Sequence, residues 1–352
     1  MRILDFWIAR HVVGGALLAL AVLLSLTAVV GFVEELDEVG RGRYGIGGAI
    51  EYVLLTVPRH AVVLFPLASV IGALIGLGTL AVSRELAVVR VSGVSVSRTV
   101  GSVLMGALVL MVVAVVVGEI VAPYCERLAQ ARRAAALDEA QGRGAGYWAR
   151  EGRRFVNAVR VRPDDSVEDM YIYEIDPDGT LRTVTHAARA QYRDGAWVLE
   201  SVRWSELSAD GVVIRSTPSV AWGTSLNPDL VKLASARLES LSGRALVRFI
   251  DYLRENRLET AAYELALWMK VVYPLATGVM IVLAVPLVLG RLGGVGIGQR
   301  ILAGCLIAVT FHVVNEVSGK MGIVYGLYPA LSAFAPTLLF LAAGVWLLHR
   351  VR

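Results

Sequence analysis

Six long apolar runs, separated by polar stretches, organise this chain. Each is long enough to cross a bilayer as a helix, which takes about 20 residues. They lie at residues 12–33, 53–82, 99–122, 265–289, 300–319 and 331–349. The second is over-long and carries Pro58 and Pro66, which predicts a kinked or tilted helix. The fifth contains His312, Asn315 and Glu316 and is the most polar. The first follows Arg2 and Arg10, but its apolar stretch is longer than a signal-peptide core. Gly31-Phe32-Val33-Glu34-Glu35 offers no small-x-small cleavage site, so this span is expected to be retained.

Between the third and fourth runs the pattern changes. Turn signals appear at Pro163-Asp164-Asp165, Pro177-Asp178-Gly179, Asp194-Gly195 and Asp210-Gly211. Between them, β-prone residues alternate in Phe155 to Val161, Met170 to Ile175, Leu181 to Tyr192, Ala196 to Trp204 and Val212 to Val220. Short strands at regular spacing predict an antiparallel sandwich, jelly roll or open barrel. Ser242 to Asn256 reads as an amphipathic helix leading into the fourth span. The expected fold is therefore an α-helical polytopic membrane protein with six transmembrane helices arranged three plus three. An antiparallel, jelly-roll-like β-domain is inserted between the halves. Residues 1–122 hold the first three spans, with a connecting loop at about 83–98. Residues 123–262 form the β-domain and its linker helix, and residues 263–352 hold the last three spans.

Composition supports this class and charge orients it. Of 352 residues, 56% are hydrophobic and 18% charged, against about 25% charged in soluble domains. An ordinary soluble enzyme, a disordered chain and a disulfide scaffold are excluded. Arg2, Arg10, Arg84, Arg90, Arg98, Arg291, Arg300, Arg350 and Arg352 fall on one side of the six spans, which makes that side cytoplasmic. Both termini are then expected inside and the β-domain outside. The net charge of +4 is spread along the chain, so no nucleic-acid partner is expected.

No P-loop is present, and the three lysines, Lys232, Lys270 and Lys320, follow no phosphate-cradling loop. Gly294-Val295-Gly296-Ile297-Gly298 lies between two spans, outside any βαβ unit, so it is not read as a dinucleotide site. His312 and Glu316 share a helix face, but two ligands do not make a metal site. They read as a polar pair facing the bundle interior, and no metal is expected. Cys125 and Cys305 fall in different compartments, which disfavours a disulfide.

Three groups of polar residues carry information. Glu119, near the outer end of span three, is either interfacial, paired inside the bundle, or part of a polar path. The loop Ser83-Arg84-Glu85-Leu86-Ala87-Val88-Val89-Arg90-Val91-Ser92-Gly93 is short, cytoplasmic and partly amphipathic. Its apolar face suits headgroups or a partner protein, and Glu85 favours a basic partner. Arg41 and Arg43 after span one, and Arg127, Arg132 and Arg133 after span three, form either a solvated basic face or a site for lipid phosphates.

At these residues the chain resembles the permease subunits of the lipopolysaccharide export transporter, the LptF/LptG family, and is closer to its LptG branch. The likeness covers essentially the whole chain. It includes Phe65-Pro66-Leu67-Ala68 through Gly72-Ala73-Leu74-Ile75-Gly76-Leu77-Gly78 and Leu80 to Gly93. It continues in Gly118-Glu119-Ile120-Val121-Ala122-Pro123 with Glu126, Trp268-Met269-Lys270 with Pro274, and Val324-Tyr325-Gly326-Leu327 with Pro329. The resemblance implies a non-enzymatic inner-membrane subunit that binds no cofactor itself. It implies a second, LptF-like permease, a cytoplasmic LptB-like ATPase dimer that uses ATP and magnesium, and a single-span LptC-like partner. Lipopolysaccharide would enter between spans one and five, past Val29, Phe32, Phe311 and Asn315, and pass to the β-domain. Arg84, Glu85, Leu86, Val89, Arg90 and Gly93 would form the ATPase-coupling loop. Arg133, with Arg132, Arg127, Arg41 and Arg43, would meet lipid phosphates. The family's lysines after span one fall here on Gly31, Asp37 and Glu38, and its other basic residue in span three falls on Gln130. An LptF-type subunit, a permease for another lipid or lipoprotein, and a membrane receptor or scaffold with a β-domain are the competing readings.

Overall fold

A computed structural model of the chain describes residues 2–83, 85, 88, 91, 96–137, 147–162, 166–193, 196–208, 211–224, 238–290 and 295–351. The helices are α1 (Arg2–Glu35), α2 (Ile46–Val82), α3 (Val96–Val116), α4 (Ala122–Ala136), α5 (Gly243–Glu255), α6 (Ala261–Leu289), α7 (Ile297–Val324) and α8 (Pro329–Val351). A π-helical turn, Val117–Val121, joins α3 to α4. The strands are β1 (Tyr147–Glu151), β2 (Arg154–Val161), β3 (Ser166–Ile175), β4 (Leu181–Arg193), β5 (Ala196–Ser208) and β6 (Gly211–Trp222). Each of the six expected spans lies inside one long apolar helical segment. The chain divides into two compact units: residues 1–40, 44–131 and 261–352, and residues 41–43 with 132–260. The β-domain was expected to begin at residue 123. The helix instead runs on to Ala136, and residues 123–131 pack with the spans.

In the membrane unit, α1, α2, α3 and α6 share one apolar core that includes Val12, Ala16, Ala73, Leu74, Val103, Ala276 and Met280. Apolar side chains gain little from leaving lipid, so association depends on close backbone approach at small residues. The crossing of α1 and α2 meets that need. A Cβ at Gly72 would collide with Ala16 and Gly15, and one at Gly76 would collide with the carbonyl of His11. Pro58 and Pro66 lie inside α2 without ending it. Its 37 residues rise about 55 Å, well beyond the bilayer core.

The other unit holds a six-stranded antiparallel sheet whose strands pair in sequence order, β1 to β6. β1 was not foreseen. It is short, and only its pairing with β2 defines it. A crease crosses the sheet. Pairing breaks in one line at Val159, Asp169, Ala188, Ser201 and Pro218, while the register on either side is unchanged. Asp169 and Ser201 take φ of 54° and 52°, and Pro218 has no N–H to pair. The buried set shifts by one residue across this line. On β3 it changes from Val167 to Met170 and Ile172, and on β5 from Trp197 and Leu199 to Val202. On β3, β4 and β5, residues of opposite parity on the two sides of this line therefore point into one apolar interior. The sheet curls far enough that Thr224, after β6, donates to Glu151 of β1 at 2.8 Å. The amphipathic helix was expected at Ser242 to Asn256. It appears as α5, with the Ser242 hydroxyl accepting from Ala245 N–H as its cap, and Tyr252 of α5 donates to the Arg150 carbonyl.

A charge cluster brackets the crease. Asp169 pairs with Arg160, and His186 Nε2 lies 3.3 Å from its Oδ1. Glu168 binds Arg162 at 2.7 Å and Arg160 at 3.6 Å. The hydrogen bond with His186, and then the Arg160 guanidinium, hold the Asp169 carboxyl below its ordinary value of 3.8. A depressed folded pKa contributes stability above the unfolded value and loses it as pH falls through the folded one. Amide exchange in β3 and β4 of the full chain is therefore expected to accelerate beyond its intrinsic rate below pH 3.8. Asp169→Asn should flatten that acid limb; an identical acid limb in the variant would show that the cluster does not stabilise the bend.

Candidate functional site

Two backbone segments bring the basic residues together. α4 is mostly Ala and Arg, with Leu128 and Gln130, all strong helix formers, so one unbroken helix carries Arg127, Arg132 and Arg133. Its last carbonyls have no partner within the helix. The Arg41–Arg43 segment supplies one: the Arg43 N–H donates to the Ala136 carbonyl at 2.8 Å. Gly42 between them has φ of 56°, and a Cβ there would stand 2.8 Å from the same carbonyl. Only glycine combines that conformation with that approach. Arg41, Arg43, Arg132 and Arg133 thus gather around one helix C-terminus, where the dipole favours cations. Arg41, Arg43 and Arg132 are exposed and Arg133 is half-buried. Arg127, on an earlier turn, donates Nε to the Pro123 carbonyl at 3.0 Å.

The start of α4 is held against α2 by a network that reading the chain did not reveal. Glu126 is completely buried. Its carboxylate lies 3.4 Å from Arg59 of α2 and accepts from Gln130 at 2.9 Å. Gln130 also donates to the Tyr52 hydroxyl at 3.2 Å, and Arg59 Nη2 is 3.3 Å from His60 Nε2. The visible signal was Arg59 inside an apolar run, together with Glu126 and Gln130 four residues apart.

Glu119 is paired inside the membrane unit. Lys270 of α6 lies 3.2 Å from its carboxylate and donates to the Gly118 carbonyl at 3.1 Å. Both acceptors belong to the π-helical turn. A π turn leaves carbonyls displaced from the regular ladder, and the ammonium meets one of them. Glu316 differs from its expected placement beside His312 toward the interior. Its side chain is 45% exposed and pairs with Lys320 at 3.4 Å.

Of the loop after α2, Glu85, Val88 and Val91 are helical and exposed. Spaced three apart, they place an acid beside two apolar side chains on neighbouring turns. Arg84, Leu86, Val89, Arg90 and Gly93 lie outside the described residues. Among the residues expected between spans one and five, Val29 is exposed and Phe32 partly so. Phe311 is buried, edge-to-face with Phe340 at 5.3 Å. Asn315 is also buried, with Nδ2 3.8 Å from Met269 Sδ and with Oδ1 lacking a hydrogen-bond partner among the described residues. The outward stripe of α7 is formed instead by Leu302, Leu306, Val309, Val313 and Val317.

Comparison with known proteins agrees with this architecture. The sequence model of the family "Lipopolysaccharide export system permease LptF/LptG" matches residues 7–350. The lipopolysaccharide export system permease protein LptG of Haemophilus influenzae is 36% identical over 353 aligned positions, covering 99% of both chains. LptG of Escherichia coli K12 is 32% identical, covering 99% of this chain and 98% of its own. A six-span bundle with an inserted antiparallel sheet, matched from end to end at this identity, belongs to the LptF/LptG family of lipopolysaccharide export permeases.

Proposed function

We propose that this chain is the LptG-type permease subunit of an ATP-driven machine that lifts lipopolysaccharide out of the inner membrane. The gathering of Arg41, Arg43, Arg132 and Arg133 around the Ala136 carbonyl carries this reading. Guanidinium groups donate paired hydrogen bonds to phosphate, and four of them at one helix end make an anion site suited to a phosphorylated glycolipid. In this reading the basic loops and both termini face the cytoplasm and the β-domain stands in the periplasm. Val29 and Phe32 of α1, with the exposed stripe of α7 at Leu306, Val309 and Val313, border the lipid's way in beside an LptF-like permease and an LptC-like span. The creased sheet receives acyl chains in its apolar interior.

Extraction needs external work. Each CH₂ withdrawn from the bilayer costs about 0.8 kcal/mol, and lipid A carries several acyl chains. This chain has no P-loop, so an LptB-like ATPase, using ATP and magnesium, supplies the work through the Glu85 segment. The test is a proteoliposome assay. With the second permease and the ATPase present, lipopolysaccharide release should depend on ATP; the single chain should release none. Arg132→Ala/Arg133→Ala should lower copurifying lipopolysaccharide roughly tenfold, taking about 0.7 kcal/mol for each solvent-screened ion pair with phosphate. Equal copurification would make these arginines ordinary surface charges, and release by the single chain would end the proposal.

A further inference from the structure

Arg300, in the first turn of α7, is 1% exposed. Its side chain lies across the bare backbone of α2 at Gly78. A Cβ at that position would stand 2.7 Å from Arg300 Cδ and 2.9 Å from Cζ, and would collide with Nη1. The obstruction therefore involves the stem as well as the tip, so any side chain at 78 displaces the whole arginine. Its charge sits where electrostatics disfavours it. The first turn of a helix is the positive end of its dipole, and a cation withdrawn from water inside a membrane bundle is costly. Arg300 is nonetheless engaged by a further interaction. A basic residue serving only to mark the cytoplasmic side would reach toward water; this one is packed beneath α2.

Its location explains what the packing accomplishes. Gly78 is in the last turns of α2, just before Ser83 and the exposed Glu85. Beyond Arg300, Gly304 continues the contact: a Cβ there would lie 3.1 Å from Ile71 Cα. Arg300, Gly304, Ala308, Phe311 and Asn315 form the buried stripe of α7, and Arg300 is the member nearest the Glu85 segment in this contact with α2. We propose that Arg300, seated over Gly78, is a positioning residue that makes α7 follow α2 when the Glu85 segment moves. This rests on the reading that an ATPase drives that segment. A side chain whose stem and tip both press on bare backbone cannot stay in place when that backbone moves, because close-packed contacts transmit strain.

The test uses the complete reconstituted exporter with Gly78→Ala, Arg300→Met and Arg300→Lys. Assembly is checked by the mass of the solubilised complex, and lipopolysaccharide released is measured per ATP hydrolysed. Gly78→Ala and Arg300→Met should assemble and hydrolyse ATP, while release per ATP falls about tenfold, within the range seen for residues on coupling routes. Arg300→Lys should fall less, because it keeps the charge and much of the stem. A purely structural role would lower assembly, hydrolysis and release together, and that outcome, or an unchanged ratio in all three variants, overturns the proposal. If Gly78→Ala fails to assemble, the two Arg300 variants decide: unchanged ratios in both overturn it. Glu85→Ala run in parallel separates the two readings. If it uncouples the exporter while the Arg300 variants do not, only the latch is wrong; if it leaves release intact, the coupling reading beneath it has failed.

Discussion

In the reconstituted exporter, Glu85→Ala is expected to abolish most ATP-dependent lipopolysaccharide release while the permeases remain folded and paired. Glu85 is exposed and helical, with Val88 and Val91 exposed beside it. In the proposed reading these two apolar side chains and the carboxylate would form a small docking face, the valines supplying contact area and the acid register against a basic group of the partner. A hydrogen bond between charged groups contributes about 1.5–3 kcal/mol. Its loss corresponds to roughly ten- to a hundredfold in the affinity of the docked state. Raised salt should weaken the wild type toward the variant, because an exposed ion pair is screened. Release by Glu85→Ala that matches the wild type would remove this residue from the energy-transfer path.

Arg59→Met should be among the most damaging single changes in the membrane unit. It leaves the Glu126 carboxylate, whose side chain is 1% exposed, without its cation. Orphaning one partner of a buried pair costs about 3–5 kcal/mol. The lower end applies here, because the Arg59 side chain is 31% exposed and Gln130 still donates to the carboxylate. Glu126→Gln should be milder, since Arg59 can turn toward its open side. The double variant Arg59→Met/Glu126→Gln should recover much of the loss, as no buried charge remains. Thermal unfolding of the solubilised complex measures all three, and the double-mutant cycle isolates the pair. Additive losses would show that the two side chains do not stabilise each other. Because α4 also carries Arg127, Arg132 and Arg133, a loosened α4 should also weaken lipopolysaccharide retention in Arg59→Met, although Arg59 is not among the gathered arginines.

How legible each part was depends on the range of the forces behind it. Spans were visible because lipid imposes a local rule: about 20 apolar residues per crossing, whatever the neighbours. Strands β2 to β6 were visible because a half-buried sheet alternates and its turns use Asp-Gly and Pro-Asp. β1 was not, because Tyr147–Glu151 has polar and apolar residues in no clean order and becomes a strand by pairing with β2. The crease was also hidden. Asp169 and Pro218 are poor strand residues taken singly, but only the register of their neighbours shows that one line crosses β2 to β6 there. Phe311 and Asn315 lie on one stripe of the fifth span, but the chain alone does not say which stripe faces protein.

By itself the sequence determined the class of molecule, the number of crossings, the inserted β-domain and the family, since each follows from local composition or from motif order along the chain. Tertiary structure decided which charges, backbone groups and bare glycines meet. Arg43 reaches Ala136, Arg59 reaches Glu126, Lys270 reaches Glu119 and Arg300 reaches Gly78 across separations of dozens to hundreds of residues. Such contacts depend on how helices cross, and the crossings are set by small residues whose meaning is invisible until two backbones are brought within touching distance.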